Sequence, residues 1–269
     1  MVLRIKLSTV CMAAGLTCAI LFSGCADSNY DPTKGWSVDK LYSEAKDEMA
    51  VGGYDKAIGL YEKLEGRAAG TPLAQQAQLD KAWAQYKTNE PAQAVATLDR
   101  FIRLHPASPA LDYALYLKGL VNFNDNLGWF SSLAEQDLAE RDPKQAKESF
   151  EAFRELVVRF PNSKYTEDAR LRMAFIKNSL ARSDVHVARF YFQRGAYVAA
   201  INRAQATVQE YRDVPAVEEA LFIMVQSYDR LGLTQLRDDT KRVLEKSYPN
   251  TPYLYPERAT SKKSWWKFW

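Results

Sequence analysis

The chain has 269 residues, with 36 Lys and Arg against 33 Asp and Glu, a formal net charge of +3. Removal of residues 1–24 would take away Arg4 and Lys6 and no acid, leaving 34 basic against 33 acidic residues and a net charge of +1. So even a balance excludes nucleic acid as an electrostatic partner. The three cysteines are Cys11, Cys18 and Cys25; the first two fall inside that leader, so the mature chain has no pair for a disulfide and must be held by packing.

The leader opens with Arg4 and Lys6, runs uncharged from Leu7 to Phe22, and ends Leu21-Phe22-Ser23-Gly24-Cys25. The apolar run is too short and too rich in small residues for a membrane span, and a thiol directly after small residues resembles a lipobox. The expectation is cleavage before Cys25 and acylation of that cysteine. Two or three acyl chains, each methylene contributing about 0.8 kcal/mol, would fix the protein to its membrane. Ala26 stands where an Asp would resemble an inner-membrane retention signal, which points to the outer membrane, facing the periplasm. Residues 25–36 then read as a polar, breaker-rich tether.

Beyond the tether, prolines set the period of the chain. Pro72, Pro106, Pro161, Pro215 and Pro249 are spaced 34, 55, 54 and 34 residues apart. Thirty-four residues is the tetratricopeptide period, and the longer gaps add about 20 residues each. The first unit places Leu41, Tyr42, Ala45 and Met49 on one helix, turns at Gly52-Gly53-Tyr54, and returns through Ala57, Ile58, Tyr61 and Leu64. The second runs through Ala77, Ala82 and Tyr86, with Asn89 as N-cap and Pro91 in the first turn of the return helix, which carries Ala94, Val95, Leu98, Phe101 and Ile102. The third starts at Tyr113 to Leu120, is interrupted over 122–141, and resumes at Pro143. Trp129 and Phe130 mark the interruption as either a partner-binding loop or a segment folded back over the groove. The fourth unit has neither Gly nor Pro from Thr166 to Arg194, predicting one long helix or two that meet near Arg182-Ser183-Asp184. The fifth carries Val217, Ala220, Leu221, Met224 and Tyr228, then returns through Leu236, Val243 and Leu244. The fold class is therefore all-α, a tetratricopeptide superhelix of about five helical hairpins with insertions in repeats 3 and 4.

Catalytic chemistry finds no constellation. His105 and His186 have no third ligand, and His105, before Pro106, is placed to cap helix carbonyls. Glu218-Glu219 and Asp238-Asp239 read as solvated or dipole-facing carboxylates. No cofactor, metal or catalytic residue is expected. The tail Lys262-Lys263-Ser264-Trp265-Trp266-Lys267-Phe268-Trp269 suits a membrane interface, a peptide groove or packing on the last repeat.

Asp99-Arg100-Phe101-Ile102-Arg103-Leu104-His105-Pro106, with Asp112-Tyr113, Tyr116 and Gly119-Leu120, resembles a repeat junction of the BamD (ComL) family. Arg141-Asp142-Pro143, Phe160-Pro161-Asn162-Ser163-Lys164-Tyr165 and Arg194-Gly195-Ala196-Tyr197 with Asn202-Arg203 match further stretches in the same order, over about residues 25–250. The chain departs from that pattern at Gly70-Thr71-Pro72 and in the tail from Tyr253 onward. The resemblance implies a non-enzymatic lipoprotein of the β-barrel assembly machinery. Repeats within 37–161 would receive targeting segments of unfolded outer-membrane proteins. Repeats within 162–252 would hold the POTRA domains of BamA, with Arg203 as a salt-bridge partner, and BamC- and BamE-like lipoproteins would bind as well. Residues 253–269 form the tail. A pilotin-like lipoprotein for a pilus secretin, or an adaptor of a peptidoglycan hydrolase, is the alternative.

Overall fold

The computed structural model describes residues 31–123 and 143–256. Cys25, the Trp129–Phe130 segment and the Trp-rich tail lie outside them. Ten α-helices make up the described residues, with no strand among them: α1 (Val38–Ala50), α2 (Tyr54–Arg67), α3 (Pro72–Lys87), α4 (Pro91–Leu104), α5 (Leu111–Phe123), α6 (Pro143–Arg159), α7 (Thr166–Gln193), α8 (Tyr197–Glu210), α9 (Ala216–Arg230) and α10 (Thr234–Ser247). Each packs on the next, giving five stacked hairpins.

Local chemistry explains where the helices start and stop. Ser37 caps α1 by accepting from the Lys40 N–H (3.1 Å), and Thr71 caps α3 by accepting from the Ala74 N–H (3.2 Å), with Pro72 in the first turn. Four hairpin turns share one closure. A residue with positive φ (Gly52, Asn89, Gly195, Gly232) follows the first helix, and the next N–H donates back to a carbonyl five residues earlier. Those bonds, Gly53 to Glu48, Glu90 to Gln85, Ala196 to Tyr191 and Leu233 to Tyr228, span 2.8 to 3.0 Å and satisfy the end of each helix. Asn89 is thus not the N-cap expected from sequence. It occupies the left-handed position glycine takes elsewhere, at φ 62°, and Glu90 is the N-cap residue.

Small residues set how closely the helices approach, and large ones fill between them. Ala45, Ala57, Ala77, Ala114 and Ala204 are fully buried, as are Tyr61, Phe101 and Phe153. Each such large side chain contributes about 1.5–3 kcal/mol on burial. The fourth unit's helix is single and continuous. At 28 residues α7 is about 42 Å long, twice its neighbour α8. Ala169, Ile176 and Leu180 share a core with Phe153 and Leu156 of α6, whereas Val185 and Ala188 pack with Ala200, Ala204, Ala220 and Ile223 of α8 and α9. The surplus residues of the fourth repeat therefore lengthen one helix that joins both halves of the array.

Two other sequence expectations change. Leu236 and Val243 are about half exposed, and Leu244 is the residue of α10 that is buried, because among the described residues no further helix stacks on the outer flank of the last hairpin. His105 closes α4 through its backbone N–H on the Phe101 carbonyl (2.8 Å), while its ring packs on the Phe101 ring at 5.1 Å.

Candidate functional site

Among the described residues, first helices of neighbouring hairpins approach backbone to backbone (α3 with α5, α7 with α9), whereas return helices meet through long side chains, as Glu65 of α2 with Arg100 of α4. That asymmetry puts α1, α3, α5, α7 and α9 on the inner side of the curve. Their inward stripes carry a ladder of rings and carboxylates. The Tyr42 hydroxyl on α1 donates to Asp80 on α3 (3.0 Å), which also accepts from Gln76 (3.0 Å) and faces Lys46 at 3.7 Å. Trp83, one turn on, stacks at a tilt with Tyr86 (5.6 Å) beneath the Lys87 ammonium.

The ladder continues on α5. Tyr116 stacks on Tyr165 at 4.7 Å and 18°, and Tyr113 lies 5.6 Å from the same ring. The Tyr116 hydroxyl donates to Asp168 on α7 (2.7 Å), and Arg172 Nε donates to the same oxygen (2.6 Å). The Arg172 guanidinium also lies 5.0 Å over Phe123, whose ring meets Phe175 edge-on. At the far end Arg189 Nε donates to Glu219 on α9 (2.7 Å). Glu219 is therefore bonded and half-buried in the first turn of α9, the dipole-facing rather than the solvated of the two settings expected from sequence.

Burial, then nearby carboxylates, pushes the Tyr42, Tyr113 and Tyr116 hydroxyls up to about 12, so they stay protonated at physiological pH, and those of Tyr42 and Tyr116 donate to Asp80 and Asp168. Desolvation pushes the Asp168 carboxyl up, yet the hydrogen bonds from Arg172 and Tyr116 outweigh it and leave the group below its ordinary value. The inner face is thus a row of half-buried rings whose flanking charges are already paired. Such a surface takes aromatic side chains by stacking and peptide groups by hydrogen bonds.

Arg203 stands apart from this ladder. It lies on α8 with its side chain 45% exposed, and its Nη1 donates to Asp184 of α7 at 3.1 Å. Burial raises the Asp184 carboxyl against the pull of the Arg203 charge. Sequence reading missed Tyr42, Asp80, Tyr116, Tyr165, Asp168 and Arg172 as a set. Their signal is a tyrosine or carboxylate beside the buried small or apolar positions of the first helix in each hairpin, such as Tyr42 beside Leu41 and Asp168 beside Ala169. Among the described residues no cluster of three metal-ligating side chains occurs, and no helix is long and apolar enough to cross a membrane.

These features define a tetratricopeptide-type scaffold with a polar-aromatic inner face. The chain belongs to the YfiO family of outer membrane lipoproteins, whose family model matches residues 36–244. It is 45% identical over 263 residues to the outer membrane protein assembly factor BamD of Neisseria meningitidis serogroup A, covering 98% of each chain. The BamD protein of Vibrio cholerae is 37% identical over 232 residues, 86% of this chain and 96% of that one. Among solved structures, the TPR2AB domain of yeast Sti1 in its pHSP90 complex matches 83% of this chain and 82% of that one, with a TM-score of 0.42 at 15% identity.

Proposed function

We propose that this protein is a non-enzymatic outer-membrane lipoprotein of the β-barrel assembly (BAM) complex, anchored through acylated Cys25 and facing the periplasm. The observation that carries the reading is the 45% identity along 98% of both chains to proteins named outer membrane protein assembly factor BamD. In this reading hairpins 1–3, residues 37–161, take up aromatic-bearing segments of unfolded barrel proteins. The paired charges of Asp80 and Asp168 favour that role, since an incoming apolar ring displaces no unpaired ion there. Repeats 4 and 5, residues 162–252, hold the POTRA domains of BamA, with BamC- and BamE-like lipoproteins as further partners. Arg203 supplies a guanidinium to an acidic partner; it is nearly half exposed, and the partner carboxylate would share it with Asp184.

The test is gentle isolation of the acylated protein from membranes, followed by mass spectrometry of the proteins that accompany it. A barrel protein with POTRA domains is expected, depleted at least fivefold in Arg203→Glu. A secretin or a peptidoglycan hydrolase in its place would refute the assembly role. Loss of palmitate incorporation in Cys25→Ser tests the anchor separately.

A further inference from the structure

The five return helices share one register, because each is closed by the same bond. The N–H of Ala68, His105, Phe160, Tyr211 and Tyr248 donates to the carbonyl four residues back at 2.8 to 2.9 Å. Ten, seven and three residues before the closing residue lies the face that meets the next hairpin. It is apolar in α4 (Val95, Leu98, Ile102) and in α6 (Phe150, Phe153, Val157). In α10 the same positions hold Asp238, Lys241 and Glu245, which are 56%, 49% and 39% exposed. Twelve and five residues before the closing residue lies the outward face. There α2 has Lys56 and Lys63, α4 Gln93 and Arg100, α6 Glu148 and Glu155, and α8 the small Ala199 and Ala206. The last helix has Leu236 and Val243 instead. In α10 the two faces have exchanged character.

Leu236 and Val243 are 47% and 50% exposed, and Leu233, one turn before Leu236, is 44% exposed. Three half-exposed side chains fall far short of the about 1,200 Å² that a separate partner's interface buries. A segment tethered beside them needs much less, because it acts at an effective concentration on the order of millimolar. The described chain runs to Pro256, just after the Tyr255 hydroxyl has bonded Glu245 of α10 at 3.0 Å. Residues 257–269 follow, with Trp265, Trp266, Phe268 and Trp269 among the last five. Glu245 lies on the opposite side of α10 from Leu236, about 20 Å away around and along the helix. The nine residues from Pro256 to Trp265 span up to about 30 Å, so the rings reach the stripe. Lys262, Lys263 and Lys267 beside the rings suit Asp239, which flanks both Leu236 and Val243 on the helix and is 53% exposed.

We propose that residues 257–269 fold back across α10 and seat their aromatic rings on Leu236 and Val243, capping the outer flank of the array from within the same chain. A repeat array requires a cap at its last unit. The charged face of α10 turns away a sixth hairpin, and its apolar outward face takes the tail. Burying the rings against the two aliphatic side chains drives the contact. The cap does not rest on the barrel-assembly reading, and each stands or falls without the other.

The probe is disulfide formation in residues 25–269 carrying Cys25→Ser, which leaves no native cysteine. Ser264→Cys, next to the rings, is paired with one of two positions on α10. Thr240→Cys lies between Leu236 and Val243 on the helix, whereas Asp238→Cys lies on the Glu245 side, nearer the point where the chain leaves. A tail seated on the stripe closes the Thr240 pair about tenfold faster than the Asp238 pair, in dilute protein under mild oxidant. Leu236→Ser with Val243→Ser, both at exposed positions, removes that preference. Equal rates, or a faster Asp238 pair, overturn the proposal, since a loose tail meets the nearer side first. Disulfides between two chains rather than within one give the stripe to a second copy and overturn it too. So does tail-dependent flotation of the Cys25→Ser protein with phosphatidylglycerol vesicles, which would assign the rings to a lipid surface.

Discussion

Gly119→Ala tests how the inner face is supported from behind. Gly119 lies on α5 where α6 crosses it, and a Cβ there would fall 2.4, 2.6 and 2.7 Å from three ring carbons of Phe153. Carbon atoms pack at about 3.5–4.0 Å, so the ring must withdraw by about 1 Å. Phe153 is fully buried and has no free direction. Overpacking of this kind costs about 3 kcal/mol at its upper end, and replacing a mid-helix glycine by alanine returns about 1 kcal/mol, a net loss of about 2 kcal/mol. For a chain this size that is a melting temperature lower by about 4–8 °C. Because Tyr116 lies 6.0 Å from Phe153, the displaced ring also presses on the Tyr116–Tyr165 stack. Urea denaturation followed by circular dichroism gives the stability. The double variant Gly119→Ala with Phe153→Leu should recover part of the loss, giving a coupling of at least about 0.5 kcal/mol. A single variant as stable as wild type, or strictly additive losses, would refute the argument that this contact is tight.

Three further outcomes rest on particular contacts. Lys81 is only 7% exposed and rests on Glu65 at 2.8 Å, with the partly exposed Arg100 on the far side of Glu65. Glu65→Gln should therefore cost about 3 kcal/mol by leaving a buried ammonium with only the more distant, exposed Glu62 carboxylate at 4.0 Å, whereas Lys81→Met should cost under about 1 kcal/mol in the same urea titration. The depressed Asp168 carboxyl contributes stability that is present above its unfolded value and lost as pH falls through its folded one. Asp168→Asn should flatten that part of the acid-unfolding curve, and an unchanged profile would count against the Tyr116–Asp168–Arg172 contact. Arg67 donates to the carbonyls of Thr33 and Trp36 at 2.9 and 3.0 Å, so Arg67→Ala should speed amide exchange over residues 31–37 while barely moving the melting temperature.

The helical repeat was legible because it is written locally. Proline spacing marks the hairpins, glycines mark three of their turns, and the buried alanines fall on the expected faces. Asn89 misled for a physical reason: asparagine serves both as N-cap and as a left-handed turn residue, and sequence alone does not separate the two. Leu236 and Val243 misled because periodicity reports an apolar stripe whether or not something covers it. The inner ladder was out of reach, since Tyr42 meets Asp80 across 38 residues and Tyr116 meets Asp168 across 52. Each residue taken singly reads as an ordinary polar position on a helix. Only stacking of the hairpins turns them into a row.

The long α7 decides how the two halves of such a scaffold communicate. Its first half is packed into the core of α6, and its second half into that of α8 and α9. The junction is closed by charge pairs, Asp184 with Arg203 at 3.1 Å and Lys147 with Glu210 at 3.8 Å. A continuous helix does not bend at a joint without losing backbone hydrogen bonds. Changes of curvature must then be taken up where α7 meets its neighbours, and the polar contacts there are the ones a partner's carboxylate would contest. Arg203→Glu would turn the Asp184 pair into a repulsion across that seam. Its effect on partner binding therefore has to be separated from its effect on the seam. Arg203→Gln, which removes the charge without creating repulsion, makes that separation. If it lowers partner recovery while leaving the urea midpoint in place, the guanidinium acts on the partner; if both fall together, Arg203 serves mainly to join the halves.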